Sequence, residues 1–301
     1  MTAAAAARPG KVQAWRMATR PPTLTAAIAP VAIGTGVAAA EDGFSVGPAL
    51  AALIGALCLQ VGANFANDVF DFRRGADTAE RLGPPRATQM GLLTQREVFT
   101  GMWIAFALAA LAGVYLVFEA GWPILAAGGA SILAAIIYTG GPWPIGYHAL
   151  GDLFTFVFFG IVAVNGTAYV QTGEITTLSL LASLPAGCTV TAILVVNNLR
   201  DIHTDARSGK TTLAVVMGER GTRVWYVALL VAAFVLVVVI AASGEATPYV
   251  LVVAGALPTA WRLARAVLAG VEGRELNALL KATARFHLVF GVLLAVGLVL
   301  G

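Results

Sequence analysis

Charge is what this chain has least of. Only 12% of its 301 residues are Asp, Glu, Lys or Arg, while 58% are hydrophobic and the mean hydropathy is +0.82. A soluble domain carries roughly twice that share of charge. Too little polar surface is left to cover a water-facing globule. Ordinary cytosolic enzymes, disordered chains and nucleic-acid binders are therefore excluded, despite a pI near 9.1. Cysteine is scarce too. Cys58 and Cys188 both sit inside apolar runs with no second Cys or His at ligand spacing, which argues for buried thiols rather than a disulfide or a zinc site. Ten-residue stretches of alternating polarity, the mark of a membrane β-barrel, are missing. The opening MTAAAAARPGK is too polar and interrupted for a cleavable signal peptide, so residues 1–20 read as a frayed cytosolic tail.

What is present is a series of long runs of Ala, Val, Leu and Ile. A helix that crosses a bilayer takes roughly 20 mostly apolar residues. Nine such runs lie near 23–40, 47–70, 98–118, 123–139, 152–171, 178–199, 223–243, 246–266 and 284–301. The expected fold class is all-α, a polytopic membrane protein of about nine transmembrane helices with 21–301 as a single domain. With the N-terminus in the cytoplasm, all 19 Lys and Arg residues fall on the inner side. The outer side keeps only Glu41, Asp42, Glu119, Glu174 and Glu245. That segregation follows the positive-inside rule. It predicts a multi-pass protein of the cytoplasmic (inner) membrane whose C-terminus lies outside. Trp103, Trp122 and Trp225, near helix ends, read as interfacial anchors.

Two inner segments break the apolar pattern. Asn64, Asp68 and Asp71 sit at i, i+4 and i+7, with Asn67 beside them, and the segment runs on through Arg73, Arg74 and Gly75 to Asp77. Asn197, Asp201 and Asp205 sit at i, i+4 and i+8, accompanied by Asn198 and Arg200 and followed by Lys210. Residues so spaced share one helix face. Asp71 and Asp201 are 130 residues and four predicted helices apart, as a four-helix repeat would place two similar clusters face to face.

Carboxylates this close repel one another unless cations bind them. Acids at a membrane helix are expensive and mark function. An oxygen-only donor set favours Mg²⁺, or Mn²⁺, over zinc. Arg73, Arg86, Arg200 and Lys210 suit a diphosphate, which arginine binds in bidentate fashion. An Asp and an Arg at one helix end often only neutralise each other. Two clusters of the same pattern on the same side argue for more than that. His203 falls off the acidic stripe and reads as solvent-facing. Asp152 reads as an N-cap carboxylate or a group that orients Tyr147.

These motifs come in a fixed order with others: Trp15, Arg20-Pro-Pro-Thr-Leu24, the segment 83–91, Tyr138-Thr-Gly-Gly-Pro-Trp-Pro144, Gly151-Asp-Leu, Phe158-Phe-Gly160 and the run to Leu213. Together they resemble the UbiA superfamily of intramembrane prenyltransferases, and within it the branch that acts on 1,4-dihydroxy-2-naphthoate in menaquinone synthesis. The resemblance spans nearly the whole chain. It implies a bundle of two four-helix repeats that transfers a polyprenyl chain from polyprenyl diphosphate to 1,4-dihydroxy-2-naphthoate, with loss of CO₂ and diphosphate. Demethylmenaquinone is the implied product. Mg²⁺ would be held by Asp68, Asp71, Asp77, Asp201 and Asp205. The implied catalytic set is Asp68, Asp71, Asp201, Asp205 and Lys210. Asn64, Asn67, Arg73, Arg86, Tyr138, Tyr147, Asn197, Asn198 and Arg200 are the implied substrate-binding residues. Tyr138, Tyr147, Phe158 and Phe159 are candidates for cation–π contact with an allylic cation. Membrane lipids are the remaining expected partners, with no nucleic acid.

The chain departs from the superfamily pattern at one point. Counting from Asn67, Asp71 stands at +4, but Gly75 stands at +8 and the next carboxylate is Asp77. Helical phase should be lost at Gly75, so Asp77 would have to return from a loop. Two other readings stay open. One is a different aromatic acceptor such as 4-hydroxybenzoate; the other is an ion-coupled transporter with paired acidic motifs. Transport sites lie near the bilayer midplane, however, and these acids cluster at the inner end. A lipid phosphotransferase of the CDP-alcohol type lacks its expected Asp-Gly-x-x-Ala-Arg run here.

Overall fold

The computed structural model describes residues 9–75 and 82–301, and among them no strand occurs beyond one isolated bridge between His148 and Thr211. The helices are α1 Lys11–Thr19, α2 Thr25–Ala40, α3 Val46–Arg73, α4 Gln95–Ala120, α5 Trp122–Ile137, α6 Gly151–Thr155, α7 Ala163–Thr172, α8 Thr177–Arg207, α9 Leu213–Ser243, α10 Leu257–Leu268 and α11 Leu276–Val299. A π-helical stretch, Phe156–Val162, joins α6 to α7, and a 3₁₀ stretch, Pro248–Ala256, leads into α10. Among the described residues, eight helical segments are long and apolar enough to cross a membrane, and α5 is a shorter apolar helix. The all-α multi-pass architecture expected from the apolar runs is what the chain adopts.

Several boundaries differ from the apolar runs, each for a physical reason. From Lys11 the supposed tail is a helix whose Ala14 and Ala18 are buried. Its Trp15 packs edge-on to Phe65 of α3, and Lys11 pairs with Glu97 of α4 at 2.8 Å. At 16 residues, α5 rises roughly 24 Å, short of the roughly 30 Å hydrocarbon core. Gly140, Gly141 and Pro142 follow it, and Pro142 has no N–H with which to continue a helix. Helices α8 and α11 extend well beyond the expected 178–199 and 284–301, because their inner turns are helical yet carry charges that interrupt the apolar count. Trp225, expected as an interfacial anchor, also has a partner within the fold: its indole N–H donates to Asp152 at 3.0 Å.

Small residues let the helices approach closely, as membrane packing requires. A Cβ on Gly36 of α2 would lie 2.9 Å from the Ala295 backbone of α11, and one on Gly160 would lie 2.6 Å from Gly187 of α8. The larger buried core joins α8, α9, α11 and α2, and a second core joins α1, α3 and α4. The two acid-bearing helices α3 and α8 belong to different cores, so their inner ends face one another across the space between.

Candidate active site

That space is a cavity of about 880 Å³ with two unlike ends. Its inner wall carries Asn64, Asn67 and Asp68 from α3, Tyr138 from the end of α5, Asn197 and Arg200 from α8, and Arg86 from the loop before α4. Its outer part is lined by small or apolar residues such as Ala52, Gly55, Ala109, Gly113, Gly128 and Gly166. A charged head and a long apolar tail would both be matched there.

Both acidic motifs are helical, so the predicted stripes exist. Asp68 is 1% exposed and lines the cavity, and its Oδ1 has no hydrogen-bond partner. Asp71 lies one turn inward, behind the wall. Its Oδ2 accepts from Arg86 Nη2 at 2.6 Å and its Oδ1 from the Tyr147 hydroxyl at 2.9 Å. Arg86 also donates to the Asn67 carbonyl, so this one guanidinium fastens the following loop to α3. On α8, Arg200 grips Asp201 with two bonds of 2.9 and 2.5 Å and donates to Asn197 Oδ1 at 2.8 Å. Lys210 Nζ lies 3.7 Å from Asp205 and 5.5 Å from the centre of the Tyr147 ring.

The two motifs are therefore bridged by the connection between α5 and α6. Tyr147 reaches Asp71 through its hydroxyl, and its carbonyl accepts from the Thr211 amide at 3.0 Å, just beyond the second motif. Burial, then the Asp71 charge, push the Tyr147 phenol above its ordinary range, so it remains a donor. Tyr138 closes α5 beside this connection. Its ring rests against Gly146 and Gly151, where an added Cβ would come within 2.9 and 2.7 Å of it.

Not every expected residue joins this group. Arg73 is exposed and lies over the rings of Phe70 and Phe99, away from the cavity; its neighbour Arg74 is the one that turns inward, to the carbonyls of Thr139 and Gly141. Asn198 is buried outside the cavity wall. Asn64 lines the wall, but its amide nitrogen is spent on Thr19 O and Thr23 Oγ1, both at 2.9 Å. It thereby braces the turn at Arg20, a non-glycine residue with φ +49°. Asp77 lies outside the described residues; α3 does end at Arg73, with Gly75 at φ +69°. Asp152 caps no helix and instead accepts from Trp225. His203 is exposed and pairs with Glu219 at 2.9 Å. Arg16, Arg20, Gln60, Asn277 and Lys281 also line the cavity, a set the acidic motifs did not reveal.

The residues at the inner end fit a hard divalent cation. They offer oxygen donors only, and one buried carboxylate oxygen lacks any hydrogen-bond partner. Among the described residues no three His, Cys, Asp or Glu side chains gather into a ready cage. A cation here would draw the rest of its shell from substrate phosphate oxygens, as magnesium commonly does.

Residues 27–288 match the UbiA prenyltransferase family. The 1,4-dihydroxy-2-naphthoate octaprenyltransferase of Mycobacterium tuberculosis is 43% identical over 288 residues, which cover 95% of this chain and 97% of the relative. Among solved structures, a UbiA homologue from Aeropyrum pernix in its apo form superposes with a TM-score of 0.69 at 16% identity, covering 91% of this chain and 97% of that one. A UbiA homologue from Archaeoglobus fulgidus bound to GPP and Mg²⁺ gives 0.63 at 13% identity, covering 93% and 99%.

Proposed function

The chain belongs to the UbiA prenyltransferase family, and from that premise we propose that it transfers a polyprenyl chain from its diphosphate to 1,4-dihydroxy-2-naphthoate, giving CO₂, diphosphate and demethylmenaquinol, the reduced form of demethylmenaquinone. The observation that carries the site assignment is Asp68. A buried carboxylate oxygen without a partner, at the polar end of a cavity whose other end is apolar, is what a metal-bound lipid diphosphate needs. Relatives of the same name from Haemophilus influenzae and Bacillus subtilis, 36% and 32% identical over nearly the whole chain, support the naphthoate acceptor over 4-hydroxybenzoate.

In this reading Asp68 meets the diphosphate at the cavity wall, while Asp71 on α3 and Asp201 and Asp205 on α8 stand just behind the lining on the two sides and join it when substrate draws off their present cationic partners. Mg²⁺, or Mn²⁺, bound there supplies Lewis-acid neutralisation of the leaving group. Arg86, Arg200 and Lys210 add positive charge at the same end, and each stands against an acid that a substrate could displace or share. The allylic C–O bond breaks and its electron pair leaves with the diphosphate. Tyr138, Phe158 and Phe159 line the cavity where positive charge then develops on carbon, and their ring faces stabilise it. The small residues of the outer wall hold the prenyl tail and exclude water that would quench the cation.

Carbon 2 of the naphthoate, which bears the carboxylate, forms the new C–C bond. The pair from the carbon–carboxylate bond returns to the ring as CO₂ departs. That carbon loses CO₂ rather than a proton, so no general base is needed there. The charge asymmetry of the helix ends supports a cytoplasmic-membrane protein with its N-terminus and active site inside and its C-terminus outside.

The test is product analysis with purified protein in nanodiscs, a polyprenyl diphosphate and each acceptor in turn. Demethylmenaquinol, read as demethylmenaquinone once air has oxidised it, is expected with CO₂ release from the naphthoate. A prenylated 4-hydroxybenzoate in its place would overturn the acceptor.

A further inference from the structure

A second cavity, of about 580 Å³, opens beside the first and is lined by Leu82, Gly83, Pro84, Pro85, Gln89, Met90, Arg274, Asn277 and Lys281. Pro84, Pro85, Asn277 and Lys281 line both cavities, so the two meet along one seam. Asn277 and Lys281 sit at i and i+4 on the first turns of α11, and Arg274 stands three residues before Asn277 in the 3₁₀ turn that leads into it. Among the described residues, the charged members of this lining are both cations, and neither has a carboxylate within ion-pair distance. Arginines at the first cavity's inner end are committed differently: Arg86 to Asp71, and Arg200 to Asp201.

Asn277 connects the two spaces. Its Oδ1 accepts from Arg200 Nη1 at 3.0 Å and its Nδ2 donates to the Leu82 carbonyl at 2.9 Å. Gly83 is part of the same wall, since a Cβ there would fall 2.7 Å from an Arg200 guanidinium nitrogen. Apart from Gln89, the remaining lining is apolar and partly flat: Leu82, Pro84, Pro85 and Met90. A bare phosphate gains nothing from such walls, whereas an aromatic ring stacks on proline and methionine surfaces. Unpaired cations beside apolar plates make a receptor for a planar aromatic carboxylate that arrives from water.

The geometry points to this second cavity as the entry and docking site of the aromatic acceptor, with Lys281 and Arg274 binding its carboxylate and the seam at Asn277 delivering the ring to the reaction cavity. This rests on the naphthoate reading above and deepens it, by separating a water-side route for the acceptor from a lipid-side route for the prenyl donor. The carboxylate contact exists in the bound ground state and is not strengthened as CO₂, a neutral molecule, departs. Its loss therefore appears in KM rather than in kcat.

The experiment is steady-state kinetics of the full chain in nanodiscs for wild type, Lys281→Gln, Arg274→Gln, the double variant and Lys281→Arg, varying each substrate separately. Both side chains are exposed and, among the described residues, unpaired, so the variants should fold. Expected is a rise of about tenfold in KM for 1,4-dihydroxy-2-naphthoate for each Gln variant, the size of one charge-assisted hydrogen bond. The double variant should lose more and Lys281→Arg should be near wild type, with kcat and the KM for the prenyl diphosphate unmoved. A rise in the KM for the prenyl diphosphate would make these cations diphosphate ligands and overturn the proposal. Unmoved values for both substrates would overturn it too. A wild-type protein that does not prenylate the naphthoate at all would sink the underlying function as well, which sets that failure apart from the others.

Discussion

Tyr147 and Asp71, 76 residues apart in the sequence, share a hydrogen bond of 2.9 Å, and through it the connection between α5 and α6 is tied to the first acidic motif. The same segment is tied to the second motif, because the Ala149 amide donates to Thr211 O at 2.7 Å and the Thr211 amide to Tyr147 O at 3.0 Å. Two acid-bearing helices from different cores are thus held in one register by a short loop between them.

Replacing Tyr147 by Phe removes the donor while keeping the ring. Turnover should fall about tenfold, in line with the roughly 1.5–3 kcal/mol that a hydrogen bond to a charged group contributes. The phenol also has a pH signature. Its pKa is raised in the folded chain, so its share of stability is whole below the unfolded value of about 10 and is lost as the pH rises past it. Melting temperature followed from pH 7 to 11 should decline less steeply in Tyr147→Phe than in wild type. Parallel curves would show that the phenol is not held as described.

Asp68 and Asp71 should separate activity from stability. Asp71→Asn leaves Arg86 buried against a neutral partner, and breaking a buried ion pair costs about 3–5 kcal/mol. Asp68→Asn removes a buried charge that has no partner, so the metal-free protein should be as stable as wild type or more so. Turnover should still fall by about a hundredfold or more in Asp68→Asn, as when charge stabilisation in a transition state is lost. Thermal unfolding and initial rates on the same preparations check the contrast.

Gly128 lines the outer part of the cavity, and a Cβ there would meet nothing within 4 Å. A bulky side chain at this point projects into the space assigned to the prenyl tail. Gly128→Phe should lower kcat/KM for a long polyprenyl diphosphate by about tenfold or more, while geranyl diphosphate stays near wild type. Equal losses for both donors would place the tail elsewhere.

Much of this was legible in the sequence because membrane helices announce themselves. Runs of Ala, Val and Leu fixed the helix count, and the 3.6-residue period put Asn64, Asp68 and Asp71 on one stripe and Asn197, Asp201 and Asp205 on another. The inner helix ends were not legible, since Asp201, Asp205, Lys281 and Arg285 interrupt the apolar count without breaking the helix. Partners across the fold were equally hidden. Nothing local distinguishes Arg73, which lies over the Phe70 and Phe99 rings, from Arg74, which reaches two backbone carbonyls. Nor does spacing reveal that Asn64 braces the Arg20 turn, or that the start of α11 lines both cavities. Those depend on which helices become neighbours.

The central claim is that both acidic motifs act together, through a divalent cation, on the diphosphate of the prenyl donor. Its most direct test is diphosphate release from a polyprenyl diphosphate in the presence of 1,4-dihydroxy-2-naphthoate, with Mg²⁺ present or chelated, for wild type, Asp71→Asn and Asp201→Asn in nanodiscs. Release that requires Mg²⁺ and is lost in both folded variants is the predicted result. Release that persists under chelation, or that survives in either variant, would contradict it.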